Sequence, residues 1–228
     1  MKTIISKIAV VATIVISTKA FSQGFVNLNF EAANPSGYSP GDGNLQTSVA
    51  LPGWTAYYST STTTNQANAI WYDTVSIGGA FIALSDTNAS SLAPVPLQGS
   101  YSLLLEGSGF STPTAASIGQ TGLIPVNTLS LLFYLSLDSS LQVTFNGLLI
   151  PLVQIGSTAN YVIMGGDVSA FAGQTGQLLF TALPNVGYGL LDNIQFSTAA
   201  VPEPSTFALV ALGSLALGLV KKRQRRRF

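Results

Sequence analysis

The side chains that could do chemistry in this chain are almost all carboxylates. Its nine acids are Glu31, Asp42, Asp73, Asp86, Glu106, Asp138, Asp167, Asp192 and Glu203, and it has no His and no Cys. That composition excludes thiol and imidazole nucleophiles, His bases, disulfides and zinc held by His or Cys. Two carboxylates can together hydrolyse a glycosidic bond, and Glu31, Asp73 and Glu106 qualify by type. No spacing orders them and no nucleophile–base pair accompanies them, so no catalytic residue is assigned and an enzyme is not expected.

The nine basic residues are Lys2, Lys7, Lys19, Lys221, Lys222, Arg223, Arg225, Arg226 and Arg227, with none between Phe21 and Val220. A formal net charge of zero therefore hides an acidic body between two basic ends. Without cations that body has no grip on phosphates, which argues against a nucleic-acid partner. Its carboxylates must be solvated, hydrogen-bonded to neutral groups, or bound to metal.

Aromatic residues are the second chemical resource. Trp54, Tyr57, Tyr58, Trp71 and Tyr72 fall within 19 positions. Trp54, Tyr57, Trp71 and Tyr72 could form a platform for sugar rings, with Asp73 near enough in sequence to bind hydroxyls. The same residue types are ordinary core and rim residues of a sandwich, which is their commoner role.

The ends read as targeting segments. Residues 1–22 have the form of a secretory signal peptide: Lys2 and Lys7, a short apolar run from Ile8 to Ser17, then Ala20-Phe21-Ser22 with small residues where a signal peptidase cuts. At the other end, Val201, Pro202, Glu203, Pro204 and Ser205 precede an uncharged run, Thr206–Val220. As a helix that run measures about 22 Å, short for a hydrocarbon core of about 30 Å. Snorkelling of Lys221 and Lys222 makes up part of the difference. The basic residues 221–227 act as a stop-transfer signal and place the C-terminus in the cytoplasm, with the body outside. Pro202 and Pro204 keep the chain just outside the membrane extended and unpaired.

The VPEPS element, the short apolar helix and the Arg-rich end together resemble the PEP-CTERM sorting signal of exported bacterial proteins. The resemblance implies recognition by an exosortase in the cytoplasmic membrane, removal of the tail, and delivery to the cell surface or to an exopolysaccharide matrix.

The elements between the ends read as strands. Thr128–Asp138 places Leu129, Leu131, Phe133, Leu135 and Leu137 on one face, and Leu141, Val143 and Phe145 alternate with polar residues. Asn146-Gly147 between two apolar runs predicts a type I′ hairpin. Further strands are expected at Phe25–Glu31, Trp54–Tyr58, Ile70–Asp73, Ala80–Leu84, Tyr101–Glu106, Tyr161–Met164, Gln177–Thr181 and Leu190–Phe196. Ser59–Asn65 reads as an exposed polar loop. The expected fold is all-β, an antiparallel jelly-roll sandwich over residues 23–200, between the signal peptide and the sorting signal at 201–228.

Asn29-Phe30-Glu31, Pro52-Gly53-Trp54, Gln98-Gly99-Ser100-Tyr101 and Leu191-Asp192-Asn193-Ile194 occur in an order similar to that of galactose-binding-like sandwiches, a group that includes many carbohydrate-binding modules. In such modules the first and last strands often share a structural calcium, which the resemblance places at Glu31 and Asp192. Asp192 has the strand parity of Leu190, Ile194 and Phe196. An inward carboxylate there needs a metal, hydrogen-bond donors, or an exposed strand end. The expected role is that of an exported structural or polysaccharide-associated protein, with a dedicated carbohydrate-binding module as the alternative.

Overall fold

The computed structural model of the protein describes residues 24–201, apart from Ile77, 88–92, Ser111 and Val186. The expected signal peptide and the tail from Pro202 onward, including the apolar run 206–220, lie outside the described residues.

Two sheets pack face to face. The larger has eight strands, numbered along the chain and in the spatial order β1 (Leu45–Gln46), β4 (Ala69–Tyr72), β5 (Phe81–Asp86), β6 (Tyr101–Glu106), β14 (Tyr188–Ser197), β8 (Ser130–Ser136), β12 (Tyr161–Asp167), β11 (Leu152–Ser157). The smaller has six, in the order β10 (Leu148–Leu149), β9 (Gln142–Phe145), β13 (Thr175–Ala182), β7 (Ala115–Leu123), β2 (Thr55–Ser59), β3 (Thr64–Ala67). Among the described residues, helix is limited to single turns at Thr47–Ala50 and Ser169–Phe171. Among the described residues the architecture is an all-β sandwich, and neither sheet closes into a barrel.

Alternation builds the core. Leu131, Phe133 and Leu135 of β8 face Val143, Phe145, Leu178 and Phe180 of the smaller sheet, all buried. Each such side chain contributes about 1.5–3 kcal/mol on leaving water. Leu129 and Leu137, at the ends of the expected run, stay exposed because β8 is shorter than the pattern that announced it. Asn146 and Gly147 have φ of 49° and 77°, as a type I′ turn requires, and join β9 to β10.

Four sequence expectations are corrected. Among the described strands, pairing is antiparallel except between β4 and β5, which are parallel, and an isolated parallel bridge joins Gly24 to Leu123. Phe25–Glu31 is not a strand: Asn27 and Phe30 have φ of 51° and 60°, and the segment turns. The Gln120 side chain stands in for a neighbouring strand, accepting from Val26 N (2.6 Å) and donating to Val26 O (3.0 Å). The polar tract at 59–65 is only partly loop, since Thr64 and Asn65 belong to β3. Finally, the register of β14 slips between Asp192 and Gln195, where Asn193 has φ of 47°. That bulge puts Leu190 on the outer face with Phe81, Ala83 and Leu104, and returns Ile194 to the main core. Asp192 is buried by loops on the outer face of the larger sheet, and the parity expected from the sequence does not hold.

Candidate functional site

The outer face of the larger sheet has a covered half and an open half. In the covered half, Phe81, Ala83, Leu104 and Leu190 form a small apolar cluster under Val75 and Leu97. Leu97 is tied down by its N–H, which donates to Ser102 Oγ (2.8 Å).

Glu31 and Asp192 meet at the edge of this cover, in a pocket of about 150 Å³ that Asn29, Gln98, Gly99 and Asn193 also line. Asp192 Oδ2 accepts from Ser102 Oγ (2.7 Å) and Gln98 N (3.1 Å), and Oδ1 accepts from Asn193 N (2.6 Å). Glu31 Oε1 accepts from Ser100 N (2.9 Å) and Tyr101 N (3.1 Å). Gly99, with φ of 64°, passes so close to the Glu31 carboxylate that a Cβ there would collide with it. Burial lifts the Asp192 carboxyl to about 6; the Ser102, Asn193 and Gln98 hydrogen bonds oppose the rise, and the Glu31 charge adds to it.

The pair expected from the sequence is therefore brought together, and each carboxylate already has donors from the chain. The pocket offers only oxygen and amide groups, a set that fits a hard cation such as calcium in kind. No cluster of three or more His, Cys, Asp or Glu side chains that could hold a metal occurs among the described residues.

The open half lies across β14, β8 and β12. A cleft of about 730 Å³ opens there, bounded by the Pro94–Leu97 loop, the turn Leu137–Ser139, Asn160 and Tyr188. Tyr188 is 49% exposed, and Val95 and Leu137 are also open to solvent. Two hydroxyls shape the floor: Ser136 Oγ accepts from Leu190 N (2.9 Å), and Ser139 Oγ lies 2.9 Å from Tyr188 O. Beside the cleft, Tyr161 pairs across from Ser136 and stacks on Tyr134 with centroids 4.3 Å apart. Tyr134, Tyr161 and Tyr188 thus share one sheet face, with Asp138 and Asn160 at its rim. None of these five was singled out as a binding residue from the sequence.

The four aromatics expected to form a platform do not assemble. Trp54 is core: its Nε1 donates to Asn27 O (3.0 Å), and its ring lies between Phe30 and Phe180. Tyr72 is buried, and its hydroxyl donates to Asp86 Oδ2 (2.5 Å). Tyr57 is on the outer face of the smaller sheet, opposite Ser117. Trp71 is on the outer face of the larger one, 40% exposed and stacked on Phe81. Of the carboxylates nominated for hydrolysis, Glu31 sits in the small pocket, Asp73 is buried with its Oδ1 accepting from Asp86 N (3.3 Å), and Glu106 ends β6 opposite Tyr188 and Phe81.

Of the expected sorting motif only Val201 is described, half-buried at the end of the linker that follows β14. Residues 200–226 match the PEP-CTERM protein-sorting motif, which implies an extracellular protein that passes through the membrane by its C-terminus and is processed by an exosortase. No curated protein matches the chain in sequence.

Several solved structures are similar in shape. A cyclase in apo form from Fischerella sp. is 16% identical, with 79% of this chain and 98% of that one covered and a TM-score of 0.40. A family 11 carbohydrate-binding module from Clostridium thermocellum, in complex with a mixed-linked β-1,3-1,4 tetrasaccharide, is 12% identical, with coverages of 72% and 100% and a TM-score of 0.36. The enzymatically active domain of tailspike protein 4 of bacteriophage CBA120 is 16% identical with a TM-score of 0.36; the match covers 64% of this chain and 19% of the tailspike chain.

Proposed function

We propose that this is an exported cell-surface or extracellular-matrix protein that associates with neutral polysaccharide through the tyrosine cleft and does no catalysis. One observation carries the binding half of this reading: Tyr188 lines a cleft rimmed by Asp138 and Asn160, and the stacked pair Tyr134 and Tyr161 stands on the same sheet face beside it. Tyrosine rings offer apolar faces to the C–H face of a sugar, while carboxylate and amide groups bind its hydroxyls. The absence of Lys and Arg from the body selects the charge of the ligand. An acidic glycan would meet only like charge, whereas a neutral one would not.

Glu31 and Asp192, with amide oxygens of their pocket, would hold calcium in a structural role. Bound there, the ion would neutralise two carboxylates that have no cationic partner in the body. It would also tie the segment after Gly24, the Gln98–Tyr101 loop and β14 to one another.

A screen of the secreted protein against neutral and acidic polysaccharides tests the reading. Retention by neutral glucans or related polymers, with none by acidic ones, is the expected result. No binding to any neutral polysaccharide would leave the protein a matrix component without a glycan ligand.

A further inference from the structure

The chain does not leave the fold freely after β14. Leu129 N donates to Ser197 O (2.8 Å), buried Ser130 donates through Oγ to Ala199 O (2.7 Å), and Ala199 N donates to Ser197 Oγ (3.0 Å). Two residues further on, Val201 packs over Gly165 of β12. The Cβ that this glycine lacks would lie 3.0 Å from a Val201 methyl, 3.2 Å from Leu132 and 3.3 Å from Ile155. The glycine thus leaves a gap in the outer face, and Val201 fills it. Only Thr198–Ala200 separate β14 from this contact, and Val201 immediately precedes Pro202.

We propose that these contacts restrain removal of the tail. Ser130 and the seat made by Leu132, Ile155 and Gly165 hold Ser197–Val201 on the larger sheet, and the sorting enzyme acts only once this segment has peeled away. Enzymes that cut a chain bind it extended and pair with its backbone. Here the carbonyls of Ser197 and Ala199 are already taken, and the Val201 side chain is half-buried. The sorting step breaks one peptide bond and passes its acyl half to water or to another nucleophile. The restraint controls access to that bond whichever acceptor is used. Peeling is a local opening that exposes few contacts, so it occurs without unfolding the sandwich. The proposal depends on the sorting motif and is independent of any ligand in the cleft.

The test follows tail loss by pulse-chase in cells with the exosortase, using the full chain. Ser130→Ala removes the clamp hydroxyl, and Ile155→Ala thins the seat at an exposed position. A third version carries a spacer of about ten Gly and Ser residues between Ala200 and Val201, long enough to release the motif from the sheet. Ser130→Ala is expected to shed the tail about 2–10 times faster, the range one neutral hydrogen bond supports, and Ile155→Ala to act in the same direction. The spacer version should be fastest, and Ser130→Ala should add nothing to it. The spacer leaves every residue of the sandwich intact, so it decides the matter even where a substitution disturbs folding. Tail loss from the spacer version at the unaltered rate, or more slowly, overturns the proposal. A tail that stays intact in every version, with or without the exosortase, overturns it at its premise.

Discussion

The outer faces of the two sheets differ in the residues they present: β9 and β13 of the smaller sheet alternate buried and outward residues, whereas β5 and β6 of the larger are near-continuous apolar runs buried on both sides. The smaller sheet turns Thr55, Tyr57, Ser117, Thr121, Thr144, Gln177 and Thr181 outward, with Ser117 Oγ donating to Thr181 Oγ1 (3.0 Å). Such a face is stable bare, because its groups bond to water or to each other. The larger sheet turns Phe81, Ala83, Leu104 and Leu190 outward instead, and these need a cover. The Leu97 segment supplies it and, in crossing the sheet, brings backbone donors to Asp192 and Glu31. Where the cover ends, the cleft at Tyr188 begins, with Leu97 in the wall of both. A sheet that packs on both faces creates borders between covered and open surface, and in this molecule the small pocket and the cleft lie on such a border.

The sharpest way to break this contrast is to cut into each outer face in turn. Leu104→Ala removes a fully buried side chain from the covered half and should cost about 2–5 kcal/mol. Thr144→Ala, on the smaller sheet, should stay within about 0.5 kcal/mol. Chemical denaturation measures both, and equal losses would mean that the outer cluster is not a second core.

The next effect is at the pocket. Asp192→Ala strands the donors of Gln98, Ser102 and Asn193, and should cost about 1–3 kcal/mol. Calcium should raise the melting temperature of the unaltered protein and leave that of Asp192→Ala unmoved, because a ion bound only by the folded state stabilises it by mass action. An identical response from both proteins would remove calcium from this pocket.

The smallest effect is at Glu106, whose carboxyl burial pushes above its ordinary value. The folded chain therefore holds that proton more tightly than the unfolded one. Its contribution is full below the ordinary carboxyl range and is lost as pH rises through the raised value. Glu106→Gln should flatten this part of the pH–stability curve measured from mildly acid to neutral pH, whereas Gln177→Ala on the smaller sheet should leave the curve unchanged.

Much of the frame could be read from local pattern. Tyr101–Glu106 was expected at its observed bounds, and Asn146-Gly147 announced its hairpin, because side-chain alternation and turn chemistry are encoded within a few residues. Strand β7, reading AASIGQTGL, was not expected. Its small and polar residues carry little apolar alternation, and it is held by pairing with β13 and β2 on either side. The first segment misled for the opposite reason: Phe25, Leu28 and Phe30 pack on the core as a strand's side chains would, but through turns.

The sites divide in the same way. Glu31 and Asp192 were paired through the order of short landmarks that includes them. Tyr134, Tyr161 and Tyr188 lie far apart in sequence and come to one sheet face only because β14, β8 and β12 are neighbours. That adjacency is set by packing across the whole sheet, and no local spacing reveals it.

The most direct test of the contrast is a titration of the secreted protein with a neutral polysaccharide that it retains, repeated on Tyr188→Ala and Tyr57→Ala. The two residues are the same type, and each stands on an outer face. The account predicts that Tyr188→Ala weakens binding about tenfold, the loss expected of one stacking aromatic, while Tyr57→Ala binds as the unaltered protein does. Binding lost with Tyr57 and kept without Tyr188 would place the ligand on the smaller sheet and contradict it.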